Sequence, residues 1–406
     1  MLGLESLLFR LLGDTTAVEN IYNTIILAVI ILLIVLIWKK LFENNNRIKA
    51  LAWLPVLYWY ALRVVWWSVP NNLLDTTMAV FCLLACYFQL QAFSSAKLGN
   101  WYWVLSGTMV VLACLVKGPV GLYPLALPVM YVIAFGKDKL RTAILGLSIT
   151  ITTFLVFLGA VLLYEPANYF LTNYFQGQVV LALLQKREKV RGDWTAHIYL
   201  LKVLMLNTIP HLVIFGSLYA IGIYGKLETR ISTTTKKIFL LTLLIAISGI
   251  FPMLISVKQG DYYLMPALPF VGLLFAALTV EMLLSVVTRF SSIPGILFPA
   301  LSVVCCIAMG YKLLRPEKDY MFETSRKIAA YVPDNSTLFL PKEIFVLSEI
   351  HAPFQRYNRL SMTSDLNKTK YLFFDNPENQ ILDSIKRTST YRIITIDDHT
   401  TLAILK

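Results

Sequence analysis

Long apolar runs, each about as long as a bilayer-crossing helix and each closed by a short polar break, fill the first three quarters of the chain. A helix needs about 20 predominantly apolar residues to cross the hydrocarbon core. By that rule ten spans are expected, at about 21–38, 50–69, 75–94, 100–116, 119–135, 142–163, 196–223, 237–257, 261–287 and 293–313. The breaks at Lys117-Gly118-Pro119 and Lys258-Gln259-Gly260-Asp261 are too short for linkers and read as tight turns between spans. Met1–Leu12 is apolar but too short to span. It lacks the basic start and small-residue cleavage site of a signal peptide, and is expected to lie as a helix on the outer interface. From Arg315 the pattern changes to alternating polar and apolar residues. That texture predicts a helix over Glu317–Tyr331, strands over Ser336–Leu340 and Tyr371–Phe374, and a helix near Glu378–Lys386. A hairpin follows, with arms Tyr391–Ile396 and Thr401–Leu405 joined through Asp397-Asp398-His399-Thr400. The expected fold class is an α-helical polytopic membrane protein, residues 1–313, with a small soluble α/β domain over 314–406.

Composition agrees with the pattern. Of 406 residues 57% are apolar and 15% charged, against about 25% charged in soluble domains. The net charge of +12 is uneven: the part up to Leu313 holds 23 basic and 12 acidic residues, the rest 13 and 12. Basic residues spread between apolar spans suit loops that face an anionic leaflet, whereas nucleic-acid binding needs a clustered basic face, so nucleic acid is excluded as a partner. One set of alternate loops holds thirteen basic residues, Lys39, Lys40, Arg47, Lys49, Lys97, Lys137, Lys139, Arg141, Lys226, Arg230, Lys236, Lys237 and Arg289. That set is expected to be cytoplasmic, which turns the breaks at Lys117 and Lys258, the long loop Tyr164–Thr195 and the C-terminal domain outward. All five cysteines, Cys82, Cys86, Cys114, Cys305 and Cys306, lie inside apolar runs and read as buried thiols.

Ionisable residues in or at the mouth of a span are costly and usually mark a cavity. Arg63, Asp75, Lys117, Lys258 and Asp261 all fall on the outer side by this topology. Each has a plainer alternative: Asp75 opens a span, where a carboxylate favours the helix N-terminus, and Lys117 sits where a lysine can snorkel to water. The stretch Lys258-Gln-Gly-Asp-Tyr262-Tyr263-Leu-Met-Pro266 puts a cation beside two tyrosines at the entrance of a Pro-broken helix. Such a group suits a phosphate and a sugar, with an aromatic belt at the membrane interface as the alternative. The outer loop adds Arg187 and Arg191 ahead of His197, a group fit to grip an anionic headgroup or simply to stay solvated. No His-Glu-x-x-His, Gly-x-Ser-x-Gly or Gly-x-x-x-x-Gly-Lys motif occurs, which weighs against hydrolase and nucleotide-driven readings.

On these residues the chain resembles the polyprenyl-phosphate-sugar glycosyltransferases, the family of protein O-mannosyltransferases and lipid A aminoarabinose transferases. The carrying segments are Asn71-Asn72-Leu73-Leu74-Asp75, Val116-Lys117-Gly118-Pro119-Val120-Gly121-Leu122 and the Lys258–Pro266 stretch. The resemblance implies a C-type glycosyltransferase fold with its active site between outward loops and a sugar donor carried on a polyprenyl phosphate. Asp75 matches a family aspartate in the cavity, while the chemistry of the residues themselves makes Lys117, Lys258 and Arg63 the expected donor-phosphate ligands and puts Tyr262, Tyr263, Arg187, Arg191 and His197 around the sugar or acceptor. The family normally begins with one further span, an acidic loop that supplies the catalytic base and a Pro-Pro turn. Met1–Arg10 resembles the helix after that turn, so the expectation is either a reading frame that starts further upstream or a fragment that cannot catalyse by itself.

The function expected is transfer of a sugar from a polyprenyl-phosphate donor to a lipid, glycan or protein acceptor at the outer face of a bacterial inner membrane. Membrane lipids are expected partners, no cofactor is assigned and a divalent cation stays open. The alternative is a secondary transporter or lipid flippase. That class places charges at broken helices near the midplane, whereas here they sit at span ends on one face.

Overall fold

The computed structural model describes residues 2–13, 16–95, 98–181, 184, 194–226, 231–255, 259–289, 320–345, 347–376, 378–388 and 390–406. Contacts divide the chain into two units, Met1–Glu5 with Asn20–Ile296, and Ser6–Glu19 with Leu297–Lys406.

The first unit is helical. Among the described residues seven segments are long and apolar enough to cross a membrane: Ala17–Leu41, Leu74–Ser94, Gly99–Phe135, Lys137–Leu162, His197–Tyr224, Thr233–Ile255 and Leu268–Thr288. Preceding them is the short helix α1 (Leu2–Leu12), which exposes Leu4, Leu7, Leu11 and Leu12. The differences from the ten expected spans have local causes. The expected span 50–69 is broken into α3 (Asn46–Ala50), α4 (Trp53–Tyr60) and α5 (Arg63–Ser68), because Leu62 takes an extended conformation between the last two. Its apolar composition reflects burial against protein: Trp59, Leu62 and Val65 are fully buried. The expected spans 100–116 and 119–135 form one helical stretch by length, yet the chain reverses within it. Helix α7 (Gly99–Lys117) ends at Gly118, whose φ of +80° and ψ of −152° suit only glycine, and a 3₁₀ segment, Gly118–Ala126, leads into α8 (Leu127–Phe135). Gly121 packs back on α7 so closely that a Cβ there would lie 2.7 Å from backbone atoms of Ala113 and Cys114. The span expected from 261 begins later, because Asp261–Leu264 is a 3₁₀ turn before the long helix that starts at Leu268. The tenth expected span, 293–313, lies outside the described residues.

The remaining helices are α2 (Thr16–Leu41), α6 (Leu74–Ser94), α9 (Leu140–Leu162), α10 (Glu165–Tyr174), α11 (Trp194–Tyr224), α12 (Thr233–Ile250) and α13 (Leu268–Arg289). Helix α10 and the π-helical turn Phe175–Val180 form the first half of the expected long outer loop Tyr164–Thr195. Packing is closest along α6, α7 and α9, where Trp103 of α7 lies against Gly146 of α9 and edge-on to Phe93 of α6 at 5.2 Å. Two of the five cysteines, Cys82 and Cys86, are buried in α6, and Cys114 is half-buried in α7. Cys305 and Cys306 lie outside the described residues.

The second unit contains a five-stranded sheet in the order β2-β1-β3-β5-β4. Its strands are β1 (Thr337–Phe339), β2 (Ser361–Thr363), β3 (Tyr371–Phe374), β4 (Tyr391–Thr395) and β5 (Thr401–Leu405). β1 runs parallel to β2 and β3, while β5 runs antiparallel to β3 and β4. Side chains alternate across a strand, so β3 feeds two cores. Tyr371 and Phe373 join Leu338 and Leu402 under α14 (Tyr320–Ile328) and α16 (Ser348–Asn358), and Leu372 and Phe374 join Phe339 and Ala403 under α17 (Gln380–Lys386). The short α15 (Lys342–Phe345) follows β1. Three of these elements went unread in the sequence: α15 is a single turn of four residues, β2 is three residues without an apolar run, and α16 carries an internal Pro353. The β4–β5 turn is tied by Asp397, which accepts from the backbone N–H of His399 (3.1 Å) and Thr400 (2.9 Å) and from the Tyr320 hydroxyl (2.6 Å). Desolvation works against the Asp397 carboxylate, but these donors, with the Thr400 hydroxyl, hold its pKa down to about 2.

Two predictions follow from this packing. Gly146→Ala is expected to destabilise the first unit by about 1–3 kcal/mol, because its Cβ would meet the Trp103 ring at 2.2 Å, whereas Gly159→Ala, with open space around it, is expected to be neutral or stabilising. Thermal unfolding of the two variants in detergent checks the contrast. In the second unit Asp397 titrates lower when folded than unfolded, so its contribution is present above about pH 4 and is lost as the pH falls towards about 2. Protection of the β4–β5 amides, measured as exchange relative to the intrinsic rate at each pH, is expected to fall as the pH is lowered through that window in the wild type, and to be lower and flat through it in Asp397→Asn.

Candidate functional site

Asp75 is the second residue of α6, 2% exposed, at an end of the helix where a carboxylate meets free backbone N–H groups. Lys117 is the last residue of α7, and the glycine after it lets the chain fold back at once. These two helices pack side by side, so the start of one meets the end of the other, and the Lys117 Nζ donates to the Asp75 Oδ2 in a half-buried ion pair. The ammonium also lies 4.7 Å from the centroid of the Tyr262 ring and 4.4 Å from that of Tyr263. One cation is therefore held by a carboxylate and two π faces, an arrangement that strengthens as water is removed. The tyrosines reach it because Asp261–Leu264 is a tight 3₁₀ turn, with the two rings edge to face at 4.9 Å. Tyr262 stacks in turn on Trp67 of α5 at 6.0 Å. Behind Lys117, its carbonyl accepts from the Tyr174 hydroxyl of α10 at 3.2 Å, and the Tyr174 ring leaves no room for a Cβ at Gly118.

A cavity of about 530 Å³ opens beside this group, lined by Arg63, Val64, Trp67, Val203, Leu206, Asn207, Asp261 and Tyr262. Arg63 begins α5 and is exposed; Asn207 of α11 holds α5 in place by accepting from the Val64 N–H at 3.1 Å. Asp261 accepts from the Tyr199 hydroxyl of α11. Gln259 sews the same turn to α11, taking the Leu200 N–H on its Oε1 at 2.9 Å and donating to the His197 and Met253 carbonyls at 3.2 and 3.3 Å.

Of the residues chosen from sequence, Asp75, Lys117, Tyr262 and Tyr263 meet at one point, and Arg63 and Asp261 line the adjoining cavity with Tyr262. His197 is placed elsewhere: its Nδ1 lies 2.9 Å from the Leu254 carbonyl, bracing α11 against the 3₁₀ segment Phe251–Ile255, and it is not among the described residues that line this cavity. Lys258, Arg187 and Arg191 lie outside the described residues. Asn207, Tyr174, Tyr199 and Gln259 were not singled out from sequence. Asn207 shares its span with Lys202, Thr208 and His211, so neither it nor the two tyrosines stood out along the chain.

Comparison with known proteins adds two findings. Residues 4–164 match the model of the dolichyl-phosphate-mannose-protein mannosyltransferase family, a family of glycosyltransferases. Two crystal structures of ArnT from Cupriavidus metallidurans, one bound to undecaprenyl phosphate and one in the apo state, share the fold with TM-scores of 0.63 and 0.62. At 14% identity each comparison covers 98% of this chain and 86% of that one. No curated protein matches the sequence. The chain is thus a membrane protein of ArnT-like fold, and the resemblance read from its sequence holds for the family model over the first part and for the fold over nearly the whole chain.

The Asp75–Lys117 pair yields a stability prediction. Lys117→Met is expected to cost about 3–5 kcal/mol by leaving a buried carboxylate without its partner, and adding Asp75→Asn is expected to recover much of the loss. Thermal melts of both single variants and the double variant in one detergent measure the coupling; additive effects would contradict it.

Proposed function

We propose that this cavity is the donor site of a membrane glycosyltransferase that moves a sugar from a polyprenyl phosphate to a lipid, glycan or protein acceptor at the extracytoplasmic face. The observation that carries the reading is the convergence of Lys117, Asp75 and two tyrosines beside a cavity whose wall contains Arg63. In this reading the guanidinium fork of Arg63 and the Lys117 ammonium take the donor phosphate, and Trp67 and Tyr262 offer stacked faces to the sugar. Lys258, assigned from sequence alone, would add a third cation. Asp75 is buried and occupied by Lys117, which suits positioning that lysine better than meeting an acceptor; Asp261 in the cavity wall is the carboxylate suited to orient an incoming hydroxyl.

In the transfer the acceptor oxygen attacks the anomeric carbon as the bond from that carbon to the phosphate oxygen breaks. The acceptor proton passes to a carboxylate, and the polyprenyl phosphate leaves with additional negative charge. Fixed cations stabilise that developing charge more than they stabilise the bound donor, which is what lowers the barrier. The positive-inside distribution of Lys and Arg supports the outward orientation, and the ArnT-like fold, matched in a structure that holds undecaprenyl phosphate, supports the donor class.

Arg63 is the residue to test, because it is exposed and its removal leaves no buried partner. Arg63→Ala is expected to lower transfer of a labelled polyprenyl-phosphate sugar on the order of 10²-fold with an unchanged melting temperature, and Arg63→Lys to restore only part, since a point charge cannot reproduce the planar fork. The assay uses the chain in lipid nanodiscs with any upstream sequence its reading frame encodes. Undiminished transfer by Arg63→Ala would remove this cavity from the reaction, and carriage of the lipid across the bilayer without transfer would favour a flippase.

A further inference from the structure

A second cavity, of about 580 Å³, lies at the opposite end of α12 and α13 from Lys117. Its wall includes Glu281, thirteen residues along α13 from Leu268, roughly 20 Å at 1.5 Å per residue. It is lined by Asn45 and Arg47 at the start of α3, Ser232, Thr233 and Lys236 at the start of α12, and Glu281 and Ser285 of α13, with Ile48, Ile231 and Leu284 as apolar wall. The one carboxylate is already committed to the protein. Glu281 accepts from the Ser232 N–H and hydroxyl, both at 2.6 Å, and from the Thr235 hydroxyl at 2.7 Å, so both oxygens are occupied in bracing the start of α12. The cations are not committed: among the described residues neither Arg47 nor Lys236 makes an ion pair.

The surroundings sharpen the imbalance. Trp38 at the end of α2 donates to the Ile48 carbonyl at 2.9 Å, which brings Lys39 and Lys40 to the same end as Arg47 and Lys49, with Lys236 and Lys237 beside them. Lys40 alone of these has a described acidic partner, Glu43 at 2.5 Å. A cavity with two free cations, hydroxyl and amide donors and an apolar wall, set at the basic end of the spans, matches the junction between a phosphate headgroup and its acyl chains.

We propose that this cavity binds a phosphate-bearing anion, independently of the transfer reaction, with an anionic phospholipid of that membrane face as the source. Arg47 and Lys236 contact the phosphate, the Thr233 hydroxyl and the Asn45 side-chain amide supply neutral donors, and the isoleucines and Leu284 meet the glycerol and first methylenes. The test is native mass spectrometry of the full chain released from nanodiscs made of phosphatidylglycerol and phosphatidylcholine. Phosphatidylglycerol is expected to be retained, and the double variant Arg47→Gln/Lys236→Gln to retain it on the order of tenfold less. The variant Lys39→Gln/Lys49→Gln, which makes the same change in net charge on that face, is expected to retain it as the wild type does. A second arm titrates inorganic phosphate into the protein in pure phosphatidylcholine nanodiscs and follows melting. Stabilisation there that is lost in the double variant would identify a soluble phosphate as the source; stabilisation by phosphatidylglycerol alone would identify the lipid. Equal loss in both double variants, or retention unaffected by Arg47→Gln/Lys236→Gln with no response to phosphate, overturns the proposal.

Discussion

A charge placed where spans pack together has to be answered, and in this chain the ion pair between Asp75 and Lys117 answers two at once. Each partner is at a helix end, one opening α6 and the other closing α7, so the pair fixes the register of the two helices that form the densest part of the bundle. The reversal at Gly118 follows from it: the chain turns back at once, and only a residue without a Cβ can take that φ with Tyr174 packed against it. The tyrosines of the Asp261–Leu264 turn then close over the lysine, and their stacking on Trp67 brings α5 into the same cluster.

Irregular backbone is tolerated at membrane depth only where it is buried in protein or lines a cavity. The broken stretch α3–α5, the 3₁₀ segment after Gly118 and the 3₁₀ turn at Asp261 are such places, and two of the three border the cavity with Arg63 and Asp261. Polar side chains of α11 hold the two that border the cavity: Asn207 takes the Val64 N–H and Tyr199 donates to the Asp261 carboxylate. Gln259 completes the link from the opposite direction. The regular spans thus serve as a frame, and Arg63, Asp261 and Tyr262 of the cavity wall stand in the interruptions.

The two ends of the bundle carry different electrostatics. At one end the cation is neutralised by a buried carboxylate and aromatic faces. At the other the carboxylate Glu281 is consumed by helix-start donors, and among the described residues the cavity cations Arg47 and Lys236 make no ion pair. The basic-loop asymmetry seen in the sequence is therefore more than an orientation signal, since part of it lines a cavity.

Sequence alone determined the membrane class, most of the spans, and in the C-terminal unit the exact bounds of β3 and β5, because burial of apolar side chains imposes length and period that composition displays directly. It also picked out Asp75, Lys117 and Tyr262, since an ionisable or hydroxyl group beside a run of apolar residues is conspicuous by its energetic cost. Only the tertiary structure decided that Asp75 and Lys117, 42 residues apart, are partners, that 50–69 is broken helix, and that His197 braces a backbone away from the cavity lining. It alone supplied Asn207, Tyr199 and Tyr174, whose value lies in the backbone or side-chain group each happens to face. Periodicity reports which side of an element is buried; a hydrogen bond or an ion pair depends on which atom of a distant element stands within 3 Å, and no pattern along the chain records that distance.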